Sequence, residues 1–450
     1  MPLDLLGASG SWRYADGRLT LADGSFRLED RTDPDRFNPL VAQGAALALE
    51  DNRITAEALL REPTTGRAVT TVDLAHDLAT GAGRADLAVA GLLFDNALQP
   101  AGPGCAELAT GAATRPVGLT CLAYGVVSNL RGTVTGTGRI DWNEAGITSS
   151  GRFSSDSLDF AAPFGPVRGA SGTLVFTDLL GLTTAPNQRL RVASINPGIE
   201  VIGGEIGIEL RGGEVLALTG GTWPFMGGTL TMRPVDIRIG TSEVRRYVLE
   251  IEGLDAARFV EHMELQNISA TGVFDGTVPL VFDDGGNGRV EGGLLISRPP
   301  GGNVSYIGEL TYEDLGTMAN MAFGALRSLD YQQMRVAMDG ELTGEIVTRV
   351  RFDGVSQGAG TVQNIATRAI AGLPIRFDIN IRAPFYQLIG SIRAMYDPAA
   401  IRDPRALGLL DAQGNVIRRE TDGAPEEPPS PEDLIPDEAV IQRRESEETP

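Results

Sequence analysis

The stretch GLPIRFDINIRAPFYQLIGSIRAMY, residues 372–396, decides how the rest of the chain is interpreted. From Phe377 to Phe385 every odd position is apolar, while the even positions from 376 to 382 carry arginine, aspartate or asparagine. A period of two places successive side chains on opposite faces of a strand. The stretch therefore predicts a β-strand with one apolar and one charged face, and it contains no catalytic set of side chains.

The same alternation recurs along much of the chain between glycine-rich turns. Ile206 and Ile208, for example, alternate with Glu205, Gly207 and Glu209. The candidate residues of the apolar strips are Ile206, Ile208, Leu210, Leu230, Met232, Ile237, Ile346, Val350, Phe352, Phe377, Ile379 and Ile381. Twenty or more strands spaced about 4.8 Å apart would form a sheet roughly 100 Å long, which must twist and curl.

Turn signals separate several of these strips. Hairpin turns are predicted at residues 22–24 (ADG) and 50–52 (EDN), and Pro234 is predicted to mark a bulge because proline cannot donate to a ladder. Residues 283–288 (DDGGNG) lack the spacing of an EF-hand calcium loop and are interpreted as a hairpin turn.

Helical signals are few. A short helix is predicted over residues 254–263 and a longer one over 312–329, where apolar residues recur on one face. A further short helix is predicted near residues 398–410. From about Thr421 the chain is acidic and rich in proline, a composition typical of disordered segments.

Composition excludes several function classes. The net charge is −21, and all 38 basic residues of the 450 are arginine, which argues against a nucleic-acid partner because such binding depends on neutralising phosphates. The sequence has no run of 18 apolar residues that would form a transmembrane helix. Its first residues lack the basic and apolar regions of a signal peptide, so the chain is either cytosolic or a downstream portion of a longer exported protein. Its strand-like opening favours the second interpretation.

Cysteine and histidine usage points away from catalysis. Cys105 and Cys121 fit either a disulfide, which would stabilise the fold by about 3 kcal/mol in an oxidising compartment, or two buried thiols. His76 and His262 lie far apart in sequence and have no metal-ligand spacing around them. No catalytic, cofactor or metal site is predicted, and the chain is not predicted to be an enzyme.

Seven stretches between residues 120 and 410 resemble the C-terminal half of the YdbH-like proteins. These proteins are AsmA-like, bridge-type lipid transporters, and their domain has also carried the label "dicarboxylate transport". The likeness is carried by SNLRGTVTGTGRIDW at 128–142, SINPGIEVIGGEI at 194–206, GGTWPFMGGTLTMRP at 220–234, residues 249–282, GGLLISRPPGGNVSY at 292–306, residues 325–354 and LPIRFDINIRAPFYQL at 373–388.

The resemblance implies a mainly β fold, in which a long curled sheet, rich in antiparallel pairs, forms a taco-shaped hydrophobic groove with a few short helices. It implies a conduit in the periplasm that carries phospholipid acyl chains between the inner and outer membranes of a Gram-negative bacterium. The implied partners are the inner membrane, through an N-terminal segment missing here, and a small outer-membrane lipoprotein at the C-terminal sheet edge. The expected domains are a groove continuation with long loops over 1–125, the YdbH-like groove over 126–410 and the acidic tail over 411–450.

Alternation alone does not separate this reading from its rivals. An inward strip looks the same whether it touches protein or lipid, so a β-sandwich or solenoid with an ordinary packed core also fits the residues. A structural or adhesive exported β-solenoid without lipid cargo is the main functional alternative. An enzyme on a β-scaffold would need a pair of carboxylates in a cleft, and the sequence nominates none.

Overall fold

The structure is a computed structural model that describes ten segments of the chain. These segments are residues 3–105, 117–162, 165–196, 200–239, 244–262, 268–283, 287–306, 328–342, 345–357 and 377–384, the last as backbone only. Within the described ranges strands predominate, and they form a large antiparallel sheet, as the sequence predicted. No helix in these ranges has the length and hydropathy needed to cross a bilayer.

Strands follow one another along the whole described chain. The first nine are β1 (Leu3–Ala15), β2 (Arg18–Asp30), β3 (Leu40–Glu50), β4 (Arg53–Arg61), β5 (Ala68–Asp77), β6 (Gly83–Phe94), β7 (Ser128–Asn143), β8 (Gly146–Ala162) and β9 (Gly165–Asp178). The next nine are β10 (Thr183–Thr184), β11 (Gln188–Ile195), β12 (Val201–Arg211), β13 (Val215–Phe225), β14 (Gly228–Met232), β15 (Val235–Arg238), β16 (Arg245–Asp255), β17 (Ile268–Ala270) and β18 (Val273–Phe282).

The remaining strands complete the two sheets. They are β19 (Gly288–Ser297), β20 (Gly302–Tyr306), β21 (Ser328–Tyr331), β22 (Gln333–Glu341), β23 (Glu345–Asp353), β24 (Ser356–Gln357) and β25 (Phe377–Pro384). One α-helix, α1 (Ala256–His262), and one 3-10 turn, Cys121–Ala123, are described.

The main sheet contains 21 strands, and the other four, β17, β20, β21 and β24, form a small sheet of their own. Strands β1 to β9 each pair with the next, β9 then pairs with β11, and β11, β12 and β13 pair in sequence. The order continues through β14, β16, β18, β19, β22 and β23 to β25. The sheet does not close on itself.

The register connects the apolar strips into one face. Residues directly opposite each other in an antiparallel pair share a face of the sheet. From β1 to β7 one such row is Trp12, Leu21, Leu47, Ala56, Leu74, Ala85 and Ile140. From β13 to β25 a second row is Trp223, Leu230, Ile251, Gly276, Leu295, Val336, Val350 and Ile379.

The strands between these rows continue the same face. Phe153 of β8 pairs with Leu174 of β9, and a Cβ at Gly172 would meet the side chain of Leu190 on β11. Leu190 in turn pairs with Ile206 of β12. We call this side of the sheet, marked by the two rows above and by Ile206, the apolar face.

Two turn predictions had opposite outcomes. Asp51 and Asn52 join β3 to β4 with φ angles of 48° and 61°, as a two-residue hairpin turn requires, so that prediction is confirmed. The hairpin predicted at residues 22–24 is wrong, because β2 runs through it. Its residues form a β-bulge where the register shifts against both neighbouring strands, and Asp23 takes the positive φ of 52° there.

Pro234 and the helices gave mixed results. Pro234 separates β14 from β15, so the interruption predicted there is a break between two strands.

Helix α1 lies inside the predicted range 254–263, which confirms that helix. Ser328 and Leu329, the end of the helix predicted over 312–329, belong to β21, since Leu329 pairs with Val304 in the small sheet. Residues 312–327, the helix near 398–410 and the acidic tail lie outside the described residues.

The domain division remains a prediction. Strand pairing between β6 and β7 runs past the expected boundary at residue 125, and residues 411–450 lie outside the described ranges.

Buried apolar side chains of the described residues form three clusters. The largest extends from Ala161 on β8 to Phe352 on β23, and two smaller ones centre on Leu92 of β6 and on Leu40 of β3.

Candidate functional site

Most of the predicted apolar-strip residues gather in the largest cluster. Its buried members include Ile206, Leu230, Met232, Ile237, Ile346, Val350 and Phe352, and Ile208 packs against them half-buried. Leu210 is half-buried near the end of β12. Phe377, Ile379 and Ile381 lie on β25 opposite Phe352, Val350 and Thr348.

The cluster borders a partly open cavity of about 90 Å³ on the apolar face. Its lining side chains come from β8, β9, β11, β12, β13 and β15, and they are apolar throughout. The predicted residues Ile206, Ile208 and Ile237 line it. Sequence reasoning missed the rest of the lining, including Trp223 and the pair Val126 and Val127.

Trp223 is the largest fully buried side chain among the described residues, with 1% of its surface exposed. Its indole ring lies over Gly204 on β12 and Gly221 on its own strand, where a Cβ would overlap the ring. The indole Nε1 is buried and has no hydrogen-bond partner among the described residues. The two glycines thus make room for a flat aromatic surface on the apolar face, a signal present in the sequence as GG at 203–204 and 220–221.

Residues 117–127, which we call the strap, cross the apolar face in the connection between β6 and β7. At one end, Val126 and Val127 line the cavity beside Phe160 and Leu190. The carbonyl oxygen of Gly125 accepts a hydrogen bond of 2.9 Å from Nη1 of Arg245, at the start of β16. The strap therefore contacts strands far from its own place in the sheet.

The other end of the strap is tied to the connection between β2 and β3. The backbone N–H of Asn38 donates to the Leu119 carbonyl at 2.7 Å, and its side-chain Nδ2 donates to the Gly118 carbonyl at 3.1 Å. The Leu119 side chain packs against both smaller clusters. A disulfide joins Cys121 of the strap to Cys105, with 5.2 Å between the Cα atoms.

A buried ion pair supports the same connection. Asp30, whose side chain has no exposed surface, accepts bonds of 2.7 and 2.6 Å from Nε and Nη2 of Arg36 and one of 2.7 Å from the Thr32 hydroxyl. Burial is the largest influence and raises the pKa of Asp30, but these donors outweigh it together and hold the pKa well below its usual range. Arg36 also donates to the Leu180 carbonyl at 3.2 Å, which links β2 to the turn after β9.

Comparison with known proteins decides the family. The profile of the YdbH-like family, described as "Intermembrane phospholipid transport protein YdbH", matches residues 1–406. The chain belongs to the YdbH-like family. No curated protein and no solved structure matches it.

Family membership settles the broad role. The YdbH-like family is a family of lipid transport proteins and not of enzymes, which confirms the prediction that the chain is not an enzyme. It implies phospholipid cargo, association with membranes and a location in the envelope of Gram-negative bacteria.

The two histidines of this YdbH-like chain lie in different surroundings. His76 accepts a 3.1 Å hydrogen bond at Nδ1 from Nε1 of Trp142, and His262 is exposed on α1. The described residues hold no group of three or more His, Cys, Asp or Glu side chains arranged to bind a metal ion.

The opposite face of the sheet is charged. Cross-strand ion pairs such as Arg139 with Asp86, at 2.7 Å, are half-exposed and keep this face polar. Exposed pairs of this kind contribute little to stability, so their main effect is to keep the face in water.

The apolar face is uncovered at β1. Leu5, Trp12 and Tyr14 expose 62%, 59% and 73% of their surface, although the register places Trp12 and Tyr14 beside Leu21 and Leu19 of β2. This YdbH-like chain therefore presents both covered and uncovered parts of one apolar face.

Proposed function

We propose that the sheet curls into a taco-shaped groove, and that its apolar face carries phospholipid acyl chains through the periplasm between the inner and outer membranes. The observation that carries this proposal is the apolar face, which the two register rows and Ile206 mark from Trp12 on β1 to Ile379 on β25. A conduit needs such continuity, since a polar gap would expose the chain to water.

The strap contacts support the curl. Eleven strand-to-strand steps separate β3 from β16 in the sheet, a path of about 50 Å at 4.8 Å per step. Yet residues 118–125, which span at most about 28 Å, contact Asn38 next to β3 and Arg245 on β16. A flat sheet would keep these two anchors too far apart, which supports a bend of the sheet between them.

The energetics favour a uniform apolar path. Each buried methylene is worth about 0.8 kcal/mol, so a 16-carbon chain loses on the order of 12 kcal/mol by entering water. Side chains such as Ile206, Leu230, Ile251 and Val350 offer similar aliphatic contacts on successive strands. Similar contacts along the path keep the acyl chain dry without a single deep site that would trap it.

The partners proposed for the two ends follow from sheet edges and family role. Among the described strands, β25 pairs only with β23, and an unpaired edge can accept a strand from another protein. We propose a small outer-membrane lipoprotein at this C-terminal edge. At the other end, an N-terminal segment would connect the groove to the inner membrane.

Lipid transfer between vesicles tests the proposal. The purified protein should move fluorescent phospholipid from donor to acceptor vesicles, and Ile379→Asp should reduce the rate at least about tenfold, because a charge on the apolar face must be desolvated when a chain passes. Asn380→Asp places the same carboxylate at the next position of β25, on the opposite face by the strand period, and should leave the rate within about twofold. Equal rates for the two variants would contradict the assignment.

The alternative, a structural or adhesive β-solenoid, predicts a dry interior without lipid. Mass spectrometry of lipids extracted from the gently purified protein separates the two functions. Phospholipid present in near-stoichiometric amounts supports the conduit, and its absence supports the solenoid.

A further inference from the structure

The strap occupies a place on the apolar face that the proposed cargo would need. Val126 is 9% exposed, and with Val127 it closes one side of the cavity over β8 to β13. The strap thus covers aliphatic side chains that belong to the continuous apolar face.

The remaining space is too small for an acyl chain. The cavity measures about 90 Å³, whereas an apolar cavity of about 150 Å³ takes one benzene molecule. A 16-carbon chain has more than twice as many carbon atoms as benzene. Passage across β8 to β13 therefore requires the strap to move.

The strap is held by apolar packing, by backbone hydrogen bonds to the chain just before it, by polar contacts to distant strands and by one covalent bond. The backbone N–H groups of Leu119 and Thr120 donate to the Pro100 carbonyl at 2.8 and 2.9 Å. Arg245, only 6% exposed, donates to the Gly125 carbonyl, and Asn38 donates to the carbonyls of Gly118 and Leu119. These bonds end on backbone oxygens, which water can satisfy once the strap lifts. The Cys105–Cys121 disulfide, in contrast, persists in either position and limits how far the strap can travel.

We propose that the strap is an internal occupant of the groove which an acyl chain displaces, and that the Cys105–Cys121 disulfide restricts this displacement. The proposal rests on the lipid-conduit function above. Opening the disulfide leaves the anchors at Asn38 and Arg245 intact, but it gives the displaced strap more conformational freedom. Displacement, and with it acyl-chain uptake, should then become easier.

Reduction of the 450-residue chain provides the test. The chain has 2 cysteines, so dithiothreitol acts on this bond alone. Vesicles of phosphatidylethanolamine with a trace of phosphatidylcholine bearing a fluorescent acyl chain serve as the probe. Uptake by the reduced protein should be at least about threefold faster than by the oxidised protein, with an upper limit near 100-fold set by the loop entropy of such a disulfide.

Two variants keep the test decisive. The double variant Cys105→Ser with Cys121→Ser should be fast without reductant and insensitive to it. Asn38→Asp loosens the strap without touching the disulfide, because a carboxylate cannot donate to the Gly118 carbonyl, and it too should be faster. The Asn38→Asp variant then tests the proposal by itself if circular dichroism shows that the cysteine variant or the reduced protein loses its sheet.

Each outcome has one meaning. Equal or slower uptake by the reduced protein and by Asn38→Asp, with a thiol assay showing two free cysteines after reduction, overturns the strap proposal and leaves the conduit intact. No uptake by any form, oxidised or reduced, overturns the conduit itself and the strap proposal with it.

Discussion

Strand β1 and strands β13 to β16 carry the same apolar face in two different states. On β1, Trp12 and Tyr14 expose 59% and 73% of their surface. On β13 and β16, Trp223 and Tyr247 each expose 1%. The residue types are alike, and the register places them on one side of one sheet.

The contrast shows that the alternation of apolar and polar residues determines which face a side chain lies on. It does not determine whether other parts of the protein cover that face. Strand β1 pairs only with β2 among the described strands, and its aromatic side chains meet little above them. Trp223 instead lies between neighbours on both sides, with Gly204 and Gly221 beneath it and the strap's Val126 across the cavity. Cover therefore comes from contacts distant in sequence, and it divides the face into an accessible part and a part that must open.

Replacing Trp223 and Trp12 should give the largest difference in stability between the covered and uncovered parts of the face. Trp223→Ala should lower the free energy of unfolding by about 3–5 kcal/mol, because it leaves a large cavity beside an existing one. Trp12→Ala should lower it by about 1 kcal/mol or less, since most of that side chain is already in water. Urea titrations followed by circular dichroism measure both.

Trp223→Phe serves as the control for ring loss. It keeps an aromatic ring over the two glycines and removes an indole N–H that has no partner among the described residues. We therefore expect a loss well below that of Trp223→Ala. A loss as large as that of the alanine variant would show that the whole indole is needed and that a smaller aromatic ring does not replace it.

The Asp30–Arg36 pair tests a contact beside the uncovered part of the apolar face. It joins β2 to the turn after β9. The pKa of Asp30 is depressed in the folded protein, so its stabilisation is present above the unfolded pKa and is lost as pH falls through the folded value. Stability should fall by about 2–3 kcal/mol as pH drops from 5 to below 2. Asp30→Asn should remove this part of the pH dependence and be less stable at pH 7.

Asp23→Asn is the matched control on the same strand. Asp23 is exposed in the β2 bulge, and asparagine tolerates its positive φ. Its urea midpoint should follow the wild-type pH profile. If Asp30→Asn also follows that profile, the buried pair does not anchor the connection.

Local patterns were enough for the faces, the hairpin at Asp51 and Asn52, and helix α1. Each of these depends on residues within a few positions of one another, where the period and the turn chemistry are decisive. Residues 22–24 show the limit, since ADG fits a turn as well as a bulge. Only pairing with β1 and β3 decides between them.

The cavity and the strap could not be predicted in the same way. Arg245 lies 120 residues from Gly125, and neither sequence neighbourhood specifies the other. One signal was present: the strap reads VGLTCLAYGVV, an apolar run inside a connection otherwise rich in glycine and proline. Such a run in a loop indicates burial, but it does not indicate which strands it covers.

Removing ion pairs on the charged face should have the smallest effect on stability. The two regions should behave alike there, because they differ only in how the apolar face is covered. Arg18 with Glu50 lies on β2 and β3, and Arg233 with Glu250 lies beside the covered strands. Their side chains are similarly exposed, at 54% and 57% in the first pair and 57% and 40% in the second. Double-mutant cycles to alanine should give couplings of about 0.2–1 kcal/mol in both pairs, reduced by salt. A much stronger coupling for Arg233 with Glu250 would mean that the covered region differs on both faces, and that the cover on the apolar side is only part of its stability.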